Sequence, residues 1–289
     1  MFFVKGRNLL LALVVLTLVF GFGNTLFGQE KPKCLTVQHE ITTTGLPLVG
    51  PVVVYNTQEF MGDRVSRSMR ALTMTLGDSV LSDVVVVVVT DLEKKKQIYI
   101  NPKTKTYTEK AFDPSEFSVI DTLADARGPQ LVVKKTGKTR EIDGKKCSEI
   151  YFKLDIASNT GVGDAKIKHY FEGNIWVTKD IPNYELYLDY NVYALQYFRG
   201  SRYAAGGFFD ILGKLDVDDY NLVNLASALE GVPVEAAFVA QMPSGAGGDV
   251  FETKIKLIEY SADTFKEGYF GPPTEEGYKK VAPKEFESF

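Results

Sequence analysis

Chemistry that relies on thiols or imidazoles has little to work with in this chain. Its 289 residues include two cysteines, Cys34 and Cys147, and two histidines, His39 and His169. No His-x-x-x-His or His-Glu-x-x-His pair occurs, so the usual zinc spacings are missing. A basic excess is missing as well. Residues 1 to 28 carry two of the 33 basic side chains and no acid, which leaves 31 basic against 37 acidic groups beyond them, a net charge of −6. That balance argues against a nucleic-acid or anionic-membrane footprint. Beyond the first segment, no stretch reaches the roughly 18 to 20 apolar residues that a membrane-spanning helix needs.

The first segment has the layout of a secretory leader. Lys5 and Arg7 precede an apolar run from Leu9 to Phe22, and small and polar residues follow. Cleavage is expected between Gly28 and Gln29, leaving one exported domain over 29–289. Leu26 stands where a small residue is preferred, and an uncleaved N-terminal anchor is the alternative. Cys34 follows "KPK" and lacks the small-residue approach of a lipid-modified cysteine. Export puts Cys34 and Cys147 where a disulfide persists. Their alternative is two free thiols, because geometry decides pairing.

Most of the remaining text reads as strands. "CLTVQHEITT" from Cys34 places Leu35, Val37 and His39 on one side. "RVSRSMRALTMTL" alternates loosely and leads to six consecutive valines, Val84 to Val89. Six residues cannot span a bilayer, and β-branched valine suits a strand on either face. The run therefore predicts a central strand covered on both sides, one by ordinary core and the other by helix or ligand. Hairpin signals follow at Asn101-Pro102 and Asp143-Gly144. An acidic segment, Asp113 to Asp125, reads as a linker or a short helix. Helical spacing comes late: Tyr184 to Phe198, then Leu222, Leu225, Ala226 and Leu229, with Gly231 as a stop. Two closing strands complete an α+β order with one dominant sheet.

Five stretches carry a resemblance: "DLEKKKQIYINPKTKTYTE", "TGKTREIDGKKCSEIYFKLDI", "IWVTKDIP", "LEGVPVEAAF" and "GPPTEEGYKKV". Together they resemble domain-of-unknown-function family 4412, exported bacterial proteins, over about 81–281, with a helical insertion at about 183–230. The "IYINPKTKTYT" hairpin is also similar to an element of periplasmic lipoprotein carriers. That resemblance implies a strongly curved antiparallel half-barrel with helices on its concave face, enclosing an apolar groove. It implies no known activity.

Apparent catalytic motifs fail on spacing. "TGKT" at Thr136 to Thr139 has Val132 where a phosphate loop needs glycine, and it reads as a hairpin turn. "PSGAGG" has Met242 two residues before Ser244, where a nucleophile elbow needs glycine. His39 with Glu40 and His169 with Glu172 read as strand-face residues; a metal-dependent hydrolase would need them gathered in space. Lys145 and Lys146 beside Cys147 would favour its thiolate, although a strand cysteine is better explained by a disulfide or the core. Tyrosines crowd the insertion, and the plain reading is that they pack a helix onto the sheet.

The expectation is thus an exported, non-enzymatic protein with no cofactor, metal or catalytic residue, placed in the periplasm or cell envelope. It binds an apolar ligand such as a lipid, acyl chain or lipoprotein segment. The expected lining is Val84, Val86 and Val88 (or the alternate set), Leu222, Leu225, Leu229, Tyr193 and Tyr197. The alternative is a structural or protein-interaction module of the envelope, with a filled core and an exposed aromatic patch.

Overall fold

The computed structural model describes residues 32–45, 50–76, 79–113, 131–159, 166–198, 208–209, 219–242 and 249–286. Two runs of strands dominate. The first comprises β1 (Cys34–Thr44), β2 (Val52–Met61), β3 (Val65–Leu76), β4 (Ser79–Asp91), β5 (Lys96–Asn101) and β6 (Thr106–Ala111). The second comprises β7 (Val132–Ile142), β8 (Lys145–Asn159), β9 (Lys166–Thr178), β10 (Val232–Met242) and β11 (Asp249–Ser261). Helices α1 (Glu185–Tyr197) and α2 (Asp219–Ala228) lie in the connection from β9 to β10, and a two-residue β12 (Lys279–Lys280) comes last.

All the strands form one open sheet, in the order β12-β6-β5-β4-β3-β2-β1-β11-β10-β9-β8-β7. Each run is an antiparallel meander. They join where β11 returns to β1, from Thr36 opposite Ser261 to Thr44 opposite Glu252, with a bulge between Gln38 and His39. Among the described strands only β12 on β6 is parallel. Among the described residues no helix is long and apolar enough to cross a membrane.

Turn chemistry explains the registers. Asp143 and Gly144 both have positive φ, 48° and 74°, in the two-residue loop between Ile142 and Lys145, as a twist-matched hairpin turn requires. At the turn after β5, Asn101 Oδ1 accepts the N–H groups of Lys103 and Thr104 at 3.0 and 3.2 Å. After β4, Asp91 Oδ1 accepts the Lys94 N–H at 2.8 Å. Thr136 to Thr139 is not a hairpin turn. It lies inside β7, where a register shift between Lys135 and Thr139 absorbs Gly137 at φ 77°, and the reversal falls to Asp143-Gly144 instead.

Strand alternation divides the sheet into two faces. The inner face carries Leu35, Val37 and Ile41 of β1, Phe60 of β2, Phe152 and Leu154 of β8, Phe171 and Ile175 of β9, and Phe238 of β10. It shares one buried cluster with Leu186, Tyr187, Tyr190 and Leu195 of α1 and with Leu222, Leu225 and Ala226 of α2. The opposite, outer face of β4 and β5 has its own core of Val87, Val89, Ile98 and Ile100, against which Phe270 and Tyr278 pack. The valine run is covered on its outer face at Val87 and Val89, while Val88 on the inner face is half-buried. Its outer cover is the segment after β11, where the sequence pointed to ordinary core on one side and helix or ligand on the other.

Candidate functional site

The inner face is chemically uneven. On β8 to β10 it is aromatic: Phe152 stacks on Phe171 at 4.7 Å, Phe171 meets Phe238 edge-on at 4.9 Å, and Phe208 closes on Phe152 and Phe238 at 6.1 Å each. On β2 to β6 the inward positions are largely polar and still buried: Asn56, Gln58, Ser66, Ser68, Thr90, Gln97 and Thr108. Their shared face follows from register. Gln58 sits between Val37 of β1 and Ser68 of β3, Ser68 lies opposite Val88 of β4, and Val88 lies opposite Tyr99 of β5.

Part of this polar strip satisfies itself. Ser68 Oγ donates to Asn56 Oδ1 at 3.3 Å, Gln97 Nε2 donates to Thr90 Oγ1 at 3.1 Å, and the Tyr99 hydroxyl donates to Gln97 Oε1 at 2.7 Å. Tyr190 reaches down from α1 to hydrogen-bond with Ser66 and Thr90, and burial pushes its phenol well above the usual range. Its ring rests edge-on against Phe60 at 5.5 Å. Beside Asn56, His39 Nε2 donates to the carbonyl of Pro233 at 2.8 Å. Burial depresses its pKa, so the ring is held neutral with the lone pair on Nδ1.

Another part does not. Gln58 is fully buried and neither its Nε2 nor its Oε1 has a hydrogen-bond partner, and Asn56 Nδ2, Asn101 Nδ2 and Thr108 Oγ1 are in the same position. A buried polar atom left unpaired costs about 1–3 kcal/mol. Such groups are uncommon in native cores and mark places where something else completes the bonding. Next to Gln58 on this face stand Asn56 and Phe60 along β2 and Val37 and Ser68 across it, with Val88 one strand further.

The residues expected to line a groove fall in three places. Leu222, Leu225 and Leu229 are buried in the main cluster with the sheet. Val88 is half-buried on the inner face; Val84 and Val86 belong to β4, but their side chains lie outside the described residues. Tyr193 and Tyr197 pair on the far end of α1 with ring centroids 4.5 Å apart, and the Arg64 guanidinium lies 3.6 Å from the Tyr193 centroid. Tyr197 is 39% exposed, whereas Tyr187 and Tyr190 are core residues.

The other candidates separate. His39 faces inward, but Glu172 projects from the outer face of β9, accepting from the Tyr151 hydroxyl at 2.6 Å with Lys153 3.4 Å away. Glu40, next to His39, points outward and bonds Tyr55. The side chain of His169 and the loop holding Ser244 lie outside the described residues. Among the described residues no cluster of His, Cys, Asp and Glu has the makings of a metal site. Cys34 and Cys147 are both buried and not disulfide-bonded, on strands with β11, β10 and β9 between them. Burial raises the Cys147 pKa, outweighing Arg140 and Lys145, so the thiolate that its lysine neighbours would favour is not formed.

Asn56 and Gln58 were not singled out from sequence. In "VVVYNTQEFM" the polar residues fall on both faces, so period-two reading gives no inside or outside. The available signal was joint: β2, β3 and β5 each place polar residues at the positions that pair across one face. No family model matches the chain, and no curated protein matches it.

Proposed function

We propose that the protein is an exported, non-enzymatic binder of an apolar ligand, a lipid, acyl chain or lipoprotein segment, seated on the inner face of β1 to β6. The half-barrel with helices on its concave side, implied by the resemblance to family 4412 and to periplasmic lipoprotein carriers, belongs to this reading. The observation that carries it is the fully buried Gln58 carboxamide, unpartnered at both ends, with Val37 across from it and Phe60 beside it. A core serving only stability would not favour such a group. The ligand seat is thereby drawn toward β2 and β3, with Val54 and Val88 as apolar walls, and away from Leu222, Leu225 and Leu229.

A second reading, a structural or interaction module of the cell envelope, is favoured by the same three leucines, which are meshed into protein core. The hydrolase reading has no support from His39 and Glu172, which occupy opposite faces. Native mass spectrometry and solvent extraction of the purified protein separate the first two. A copurifying apolar molecule, or saturable displacement of a fluorescent fatty acid, is expected. A ligand-free protein that binds no such probe overturns the binding reading in favour of the module.

A further inference from the structure

The chemistry around Gln58 narrows the ligand's polar group. A carboxamide has an N–H₂ donor and a C=O acceptor. In Gln58 both are buried and free, and the adjacent Asn56 offers one more free donor while its Oδ1 is already taken by Ser68. The complementary partner must accept from one or both amides and donate to Gln58 Oε1. A carboxylate or phosphate supplies only acceptors, and burying its charge requires a paired cation.

The inner-face neighbours of Gln58 in register, Val37 and Ser68, and those along β2, Asn56 and Phe60, are all uncharged. Arg70 stands across from Asn56, one pair further along, and has interactions of its own. An ester or ketone would accept from the amides and leave Gln58 Oε1 unpaired. A secondary amide has one donor and one acceptor pointing to opposite sides of the group, so its carbonyl can accept from Asn56 Nδ2 while its N–H donates to Gln58 Oε1. From this pattern we infer that the inner face recognises an apolar chain bearing a neutral secondary amide, read by Gln58 with Asn56 as a second donor.

This specificity rests on the ligand-binding reading above, and the test separates their failures. Binding of N-methyldodecanamide, methyl dodecanoate and dodecanoate to the purified protein is measured by displacement of a fluorescent fatty acid. The amide is expected to bind about tenfold more tightly than the ester, the ratio that one extra net hydrogen bond of roughly 1.4 kcal/mol provides. In Gln58→Leu the amide should lose its advantage and the two should bind alike, because Asn56 Nδ2 then offers each carbonyl the same donor and the amide N–H has no acceptor. If Gln58→Leu does not fold, as judged by its circular dichroism and melting, Gln58→Met serves in its place.

Equal binding of amide and ester by the unaltered protein overturns the amide recognition and leaves the apolar-ligand reading standing. An amide preference that survives in the Gln58 variant also overturns it. Failure of all three probes to bind overturns both.

Discussion

His39 is one side chain on which solution pH should act through the fold. The folded protein buries it neutral, with its pKa below the ordinary 6.5. The unfolded chain protonates near that value, so on acidification through 6.5 the unfolded state takes up the proton first. Stability is therefore fully present above pH 6.5 and declines as pH falls toward the folded pKa, by at most about 1.4 kcal/mol per pH unit. Carboxylates held low by basic or hydroxyl partners, such as Glu109 and Glu149, lose their contribution only in more acid solution. Melting temperatures between pH 7.5 and 5.5 should fall for the native chain. They should fall less for His39→Gln, whose amide can keep the bond to the Pro233 carbonyl. An identical decline in both would remove His39 as the cause.

Gly173 is a second residue whose chemistry is set by its surroundings. It pairs across the sheet with Phe238, and a Cβ added there would meet the Ala237 carbonyl oxygen and Phe238 Cβ at 2.4 Å each. One of the obstacles is backbone, so the strain cannot be relieved by a rotamer change. Gly173→Ala should cost about 1–3 kcal/mol in denaturant unfolding, with an unchanged m-value if the fold survives. The missing side chain is what lets Phe238 lie beside Phe171 and Phe152, and so what closes the aromatic half of the inner face.

Among the elements, the stretch after β11 does more than the sequence announced. Phe265 and Tyr269 stack at 5.1 Å, Phe270 covers the outer core of β4 and β5, and the Tyr269 hydroxyl accepts from Arg67 at 2.8 Å and donates to Glu59 at 2.7 Å. Burial and the Glu59 bond push that phenol up to about 12. Further on, Phe286 comes to 6.3 Å from Tyr99. Ending the chain after Ser261 should expose Val87, Val89, Ile98 and Ile100. Bound hydrophobic dye should increase and the melting temperature should drop, while the far-ultraviolet strand signal stays largely intact; a shortened chain as stable as the full one would refute this role.

Local signals account for what sequence made legible here. Helix α1 matches the Tyr184 to Phe198 reading within a residue or two, α2 follows its leucine spacing, and Asp143-Gly144 makes the expected turn. Strand β2 and the covering segment escaped because neither has one apolar face of its own. Their burial depends on partners far along the chain, Val37 and Ser68 for Gln58 and the outer core for Phe270. The polar strip escaped for the same reason, since its meaning lies in pairings between strands and in no single strand.

At the scale of the molecule, residues 33–289 form one compact unit, and its two meanders meet at a single seam, β1 against β11. The contacts at that seam join residues more than 200 positions apart, from Thr36–Ser261 to Thr44–Glu252. Loop-closure entropy delays such contacts, and folding of this chain belongs with the slower, non-local β-sheet class. Each meander can form its own hairpins first, but Ile41 and Ile255 become neighbours only once both are in place.

An open sheet also ends somewhere, and the two ends here are unlike. At one, β6 is shielded by Lys279 and Val281, whose N–H groups donate to the Lys105 and Tyr107 carbonyls at 2.9 Å. At the other, β7 shows Val132 more than half exposed but carries Lys134, Lys135 and Lys138 along the rest of its length. A second copy approaching the first edge finds its hydrogen-bonding positions partly occupied, and one approaching the second brings lysines against lysines. A sheet this wide offers edges that could template its growth into fibrils, and a few lysines and a two-residue strand stand where they oppose it.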